Sequence, residues 1–151
     1  MELRTEIEID APPAAVWAVL VDTARYHEWN PFIPRLDGAL EPGSRLDVTL
    51  TPPDASDMDV HPRVLRCAPN EELRWRGNLA FDFLFFGEHF FKLVPTDDGR
   101  TRFVHGEDFG GLLVRYLGKT LTATARGFVF MNQALKKRVE ESRAPARAAR
   151  S

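Results

Sequence analysis

The sequence predicts an α+β domain with helices packed on one side of a curved antiparallel sheet. Three features carry that expectation. Residues 2–9 alternate strictly, Leu3, Thr5, Ile7 and Ile9 on one face and Glu2, Arg4, Glu6 and Glu8 on the other, as in a half-buried strand. Residues 32–109 fall into short alternating stretches separated by turn-forming Gly, Pro, Asn and Asp. From residue 112 to 141, Leu113, Leu117, Thr120, Thr124, Phe128, Met131, Leu135 and Val139 recur every three or four residues, which places them on one face of a long helix.

After the first strand, Asp10 and the Pro12-Pro13 pair mark a helix start, because proline costs nothing in a first turn whose amides are unpaired anyway. The helix, about residues 13–22, buries Val16, Trp17 and Leu20. A short turn over residues 26–29 ends at Asn30-Pro31. Strands are expected over residues 32–36, 45–51, 58–66 and 73–77, the last two as a hairpin around Ala68-Pro69-Asn70. Phe81, Phe83, Phe85 and Phe86 are too dense to lie wholly inside, so part of this patch is expected at a pocket rim or an intermolecular contact. Two further strands, residues 87–94 and 101–109, meet at the turn Thr96-Asp97-Asp98-Gly99-Arg100. The final helix would be roughly 45 Å long and must lie across the sheet.

Composition excludes several classes. A 44% hydrophobic and 28% charged chain is that of a globular protein of one domain, and a net charge of −2 gives no field to recruit nucleic acid or an anionic membrane. No apolar run approaches the ~20 residues that cross a bilayer, and the first residues lack a basic-then-apolar signal. The single cysteine, Cys67, excludes an internal disulfide and fits the cytoplasm. Residues 1–141 are expected as one domain and the Ala/Arg-rich residues 142–151 as a disordered basic tail. There is no phosphate loop, nucleophile elbow, paired-cysteine site or dinucleotide fingerprint, so no cofactor is expected.

The segments Pro13-Ala14-Ala15-Val16-Trp17, Trp29-Asn30-Pro31-Phe32, Phe86-Gly87-Glu88-His89 and the run from Thr101 to Leu113 occur in an order and spacing that resemble the START-related, Bet v 1-like superfamily, in its polyketide-cyclase/dehydrase-like branch. The resemblance spans residues 7–139. It implies a helix-grip fold, in which a curved seven-stranded antiparallel sheet wraps the long C-terminal helix, with one or two short helices after the first strand. It also implies a cavity between sheet and helix for a hydrophobic small molecule.

Parity along the last two strands puts His89, Phe91, Phe103, His105 and Glu107 on the inward face. With the turn centred on Asp98, His89 should oppose Glu107, and Phe91 should oppose His105. Two imidazoles and a carboxyl group inside an aromatic interior are costly unless partnered. Three readings stay open at this point. The groups form a satisfied structural network, or they orient a ligand, or His89, His105 or Glu107 moves protons on a bound polyketide. Two histidines and a carboxylate can also hold zinc or iron, but the resemblance implies no metal. Trp75, Phe91, Phe103, Leu117, Thr120, Thr124 and Phe128 are expected to line the cavity, with Asn132, one position off the stripe, a weaker candidate.

The function expected is binding of a lipid-like or polyketide-like molecule beneath the C-terminal helix, with no stable membrane insertion and with dimerisation left open. The enzyme alternative is a cofactor-independent cyclase, aromatase or dehydratase. A co-chaperone-like interaction module is the third, and would show a filled interior and an exposed apolar surface.

Overall fold

A computed structural model of the chain describes residues 1–78, 81 and 83–150, the last seven of these by backbone alone. The opening alternation forms β1 (Glu2–Ile9), Pro13 starts α1 (Pro13–Leu20), and a 3-10 turn leads into the short α2 (Tyr26–Trp29). There follow β2 (Arg35–Asp37), β3 (Asp47–Leu50), β4 (Met58–Val60), β5 (Arg63–Ala68), β6 (Glu72–Asn78), β7 (Phe86–Pro95) and β8 (Thr101–Gly110), and then α3 (Gly118–Arg150). Among the described residues no helix is long and apolar enough to cross a membrane.

The strands form two sheets, one of order β1-β8-β7-β6-β5 and one of order β2-β3-β4. Eight described strands thus replace the seven expected. The reason lies at His61-Pro62, inside the stretch expected as one strand. Proline has no amide hydrogen to give a ladder, so the strand stops as β4 and resumes as β5. The two sheets stay stitched across the break. Arg45 pairs with Arg63 as an isolated bridge, the Leu46 amide donates to the Pro62 carbonyl at 2.8 Å, and the Val64 amide donates to Ser44 at 2.9 Å.

Two other elements begin later than expected, each for a local reason. The side-chain carbonyl of Asn30 accepts the amides of Phe32 (3.1 Å) and Ile33 (2.8 Å), holding them in a turn, so β2 begins only at Arg35. Phe32 is thereby pushed beneath α3, where Gly127 makes room: a Cβ on Gly127 would lie 2.3 Å from the Phe32 ring. At the other end, Gly111 takes a positive φ of 98° under the carbonyl of Leu84, and residues 114–116 form a 3-10 turn. The helix therefore starts at Gly118 rather than at Leu112. It is traced through residues 142–150, which were expected as a tail, while Ser151 lies outside the described residues.

From Leu121 onward the apolar stripe of α3 meets the sheet. Phe128, Met131, Leu135 and Val139 join Ile9, Leu20, Phe32, Trp75, Phe91 and Phe103 in one core, each such side chain contributing roughly 1.5–3 kcal/mol.

Candidate functional site

The inner faces of β6, β7 and β8 bring Trp75, His89, Phe91, Phe103, His105 and Glu107 together. The register is that expected, with His89 opposite Glu107 and Phe91 opposite His105. The helix adds Thr124, Phe128 and Asn132, all buried. Leu117 is only half-buried and Thr120 is exposed, so these two do not join the cluster; the late start of α3 leaves them in the connection and on its first turn. The rings expected as cavity walls stack on the histidines instead. Trp75 lies on His89 with centroids 5.1 Å apart, His105 on Phe128 at 4.1 Å, and Phe91 packs on His105 at 4.6 Å.

One backbone carbonyl sets the direction of every hydrogen bond in the cluster. The carbonyl of His105 can only accept, so Thr5 Oγ1–H donates to it at 2.9 Å. Thr5 then accepts from Asn132 Nδ2 at 2.8 Å, which turns Asn132 Oδ1 toward His105 Nδ1 at 2.9 Å. His105 Nδ1 must therefore carry the hydrogen. Burial holds the His105 pKa well below the ordinary 6.5, with neighbouring His89 adding to the effect, so the ring is neutral and its Nε2 accepts. His89 Nε2–H donates to it at 2.8 Å. Burial likewise lowers the His89 pKa to about 3. Its Nδ1 is then an acceptor, facing Glu107 Oε2 at 3.3 Å.

The last link requires a proton on Glu107, and its environment supplies one. Burial, with a smaller contribution from the Asp108 charge, raises the Glu107 pKa to about 8. The result is one uncharged chain of donors from Glu107 through His89, His105 and Asn132 to Thr5, with every polar group on it satisfied. Gly87, on the neighbouring strand, makes the final contact feasible, because a Cβ there would lie 2.3 Å from Glu107 Oε1. Among the described residues no group of three His, Cys, Asp or Glu side chains is arranged to hold a metal ion.

Two clefts open elsewhere. One, of about 590 Å³ and mainly apolar, runs between β1 and the first half of α3. It is lined by Leu3, Thr5, Leu121, Ala125, Val129 and Phe130, among others. Thr5 thus belongs both to this cleft and to the end of the buried chain. The second, of about 360 Å³, lies at the junction of the two sheets and is lined by Arg45, His61, Arg63, Leu65, Arg76, Gly77 and Asn78. Strand alternation and motif spacing single out neither Thr5 nor Gly87. Yet a lone hydroxyl among Leu3, Ile7 and Ile9, and a glycine two residues before His89, were both visible.

The family described as "Polyketide cyclase / dehydrase and lipid transport" matches residues 1–140. Among solved structures, the aromatase/cyclase Zhui from Streptomyces sp. R1128 superposes with a TM-score of 0.75 at 15% identity, covering 93% of each chain. Protein NE0264 from Nitrosomonas europaea gives 0.73 at 17% identity, covering 95% of this chain and 97% of the other. A norcoclaurine synthase point mutant from Thalictrum, in complex with a transition-state analogue, gives 0.66 at 15% identity, covering 95% and 96%. At such identities these likenesses establish the fold. No curated protein matches the chain at a significant level.

Proposed function

Because the chain belongs to the polyketide cyclase / dehydrase and lipid transport family, we propose that it binds an apolar or amphipathic small molecule, lipid-like or polyketide-like, in the β1–α3 cleft with Thr5 as polar anchor. The observation that carries this is the meeting of an open apolar cleft of about 590 Å³ with the last hydroxyl of the buried chain. That volume suits a small-molecule site, in which apolar walls supply affinity and a few polar groups fix orientation. Thr5 Oγ1 donates once and accepts once, which leaves a lone pair for a ligand hydroxyl. Trp75, His89, Phe91, Phe103, His105 and Phe128 then act as the packed floor that positions Asn132 and Thr5, not as direct contacts. We take residues 1–141 as one such domain, working in the cytoplasm.

A second reading rests on Glu107. A protonated carboxyl group bonded to a neutral imidazole can deliver a proton to a bound carbonyl compound, as a cofactor-independent cyclase or dehydratase would require. Glu107→Gln separates the two readings: it leaves ligand binding intact under the first and abolishes turnover under the second.

The first reading is tested by native mass spectrometry of freshly purified protein and by binding of the fluorescent probe anilinonaphthalene sulfonate. A mass excess lost on denaturation is expected. Ala125→Trp, which fills the cleft, should weaken probe binding at least tenfold. Equal binding by that variant and the native chain would remove the cleft as the site.

A further inference from the structure

The outer face of the five-stranded sheet, turned away from α3, carries a row of directly opposed residues that sorts its charges by sign. Arg45 opposes Arg63, Arg63 opposes Arg76, Arg76 opposes Glu88, Glu88 opposes Asp108, and Asp108 opposes Glu2. Like charges directly opposite one another across strands are destabilising, so both halves of this row need counter-charges. The acidic half has them within the protein. Arg74, from the next row, reaches Glu88 at 2.7 Å and Asp108 at 3.9 Å, and Arg4 reaches Glu2 at 3.9 Å.

The basic half is treated differently. Arg76 is drawn toward Glu88 at 3.6 Å and lies over the Phe86 ring at 3.9 Å, which holds it as one wall. Arg63 donates to the carbonyl of Gly43 at 2.8 Å, a contact that aims the guanidinium without neutralising it. Arg45 and Arg63 form no ion pair among the described residues. The nearby carboxylate of Asp47 is engaged by His61 at 2.6 Å. Arg45 and Arg63 are exposed, and Arg76 is half-buried. Together with His61, Leu65, Gly77 and Asn78 they line the open cleft of about 360 Å³ at the seam between the two sheets.

We infer that this cleft is a binding site for a phosphate group, held by Arg45 and Arg63 against the fixed wall of Arg76. Guanidinium groups match phosphate oxygens two at a time, and a dianion offers Arg45 and Arg63 the counter-charge that they do not meet among the described residues. The site lies on the opposite side of the sheet from the apolar cleft and stands independently of the ligand proposed there. The phosphate can come from a soluble ester or from a lipid headgroup, since both present the same oxygens.

The test is a titration of the ¹⁵N-labelled chain with inorganic phosphate at constant ionic strength, followed by NMR. Saturable shifts confined to residues 43–47, 61–65 and 76–78 are expected, together with a rise in melting temperature that matched chloride does not reproduce. The double variant Arg45→Gln/Arg63→Gln should bind phosphate at least tenfold more weakly, and should melt no lower than the native chain without phosphate, because an opposed pair of like charges is gone. Arg66→Gln, on the same strand but outside the cleft, should leave binding unchanged. Co-sedimentation with phosphatidic acid vesicles, but not phosphatidylcholine vesicles, lost in the double variant, would assign the phosphate to a headgroup. Binding of inorganic phosphate without vesicle recruitment would assign it to a soluble ester. Absence of saturable shifts at these residues together with absence of vesicle recruitment, or equal affinity in the double variant, overturns the site.

Discussion

The two faces of β6, β7 and β8 are built from alternate residues of the same strands, yet they handle ionisable groups in opposite ways. On the outer face the charges are kept and paired: Arg74 reaches Glu72 and Glu88, each at 2.7 Å, and lies over Phe90 at 4.7 Å. On the inner face the charges are removed. His89, His105 and Glu107 are held neutral by burial, and cohesion comes from the direction of each hydrogen, set by the His105 carbonyl. A charged network tolerates the loss of one member because water reaches the rest. A buried chain of donors does not, since each link leaves a polar atom without a partner.

The sharpest way to break this contrast is Asn132→Leu, which keeps the side chain's size and removes both of its hydrogen bonds. His105 Nδ1–H is then left unpaired where nothing else can accept it. The expected loss is about 2–3 kcal/mol of unfolding free energy, that of stranding buried polar groups, read by urea denaturation. A loss under about 0.5 kcal/mol, the level of an ordinary surface substitution, would mean that the chain does not hold the interior together.

Much of this site was legible in the sequence because the strand period is two. Parity and one turn position suffice to set His89 against Glu107. Long-range packing was not legible in that way. The stacking of Trp75 and Phe128 on the two histidines depends on how closely α3 approaches the sheet. That approach is set by Gly127 and Phe32, far apart in the chain. Thr120 illustrates the same limit: the spacing puts it on the stripe with Thr124 and Phe128, but it lies exposed on the first turn of a helix that begins only at Gly118. The eighth strand follows from a single residue, Pro62, whose missing amide hydrogen outweighs a favourable alternation on both sides.

A medium effect comes from the protonation states themselves. Between pH 4.5 and 8 folded Glu107 keeps a proton that the unfolded chain has released, so stability falls as pH rises through that window and the deficit is complete above pH 8. The histidines act in the opposite sense. Folded His89 lacks a proton that the unfolded chain carries between about pH 3 and 6.5, so its contribution is lost as pH drops below 6.5. Between pH 6.5 and 8 only the Glu107 slope remains of these. It amounts to about 2 kcal/mol at most, at ~1.4 kcal/mol per pH unit, and about 1 once partial solvent access is allowed for. Glu107→Gln still offers a hydrogen to His89 and cannot titrate, so its stability should be flat over this interval. Parallel pH profiles for variant and native chain would show that Glu107 is ionised in the fold.

The smallest effect separates the faces most cleanly. Arg74→Met keeps the stem over Phe90 and removes the charge between Glu72 and Glu88. With the Arg74 side chain 18% exposed, the cost should be about 1 kcal/mol, the upper end for ion pairs that solvent can reach. That cost should shrink when unfolding is repeated in 1 M NaCl, where charges are screened beyond roughly 3 Å. The Asn132→Leu deficit should not change with salt, because no charge on that chain is available to be screened. If salt reduced both deficits alike, the inner chain would have to contain an ionised His89–Glu107 pair, and the two faces would differ in exposure but not in kind.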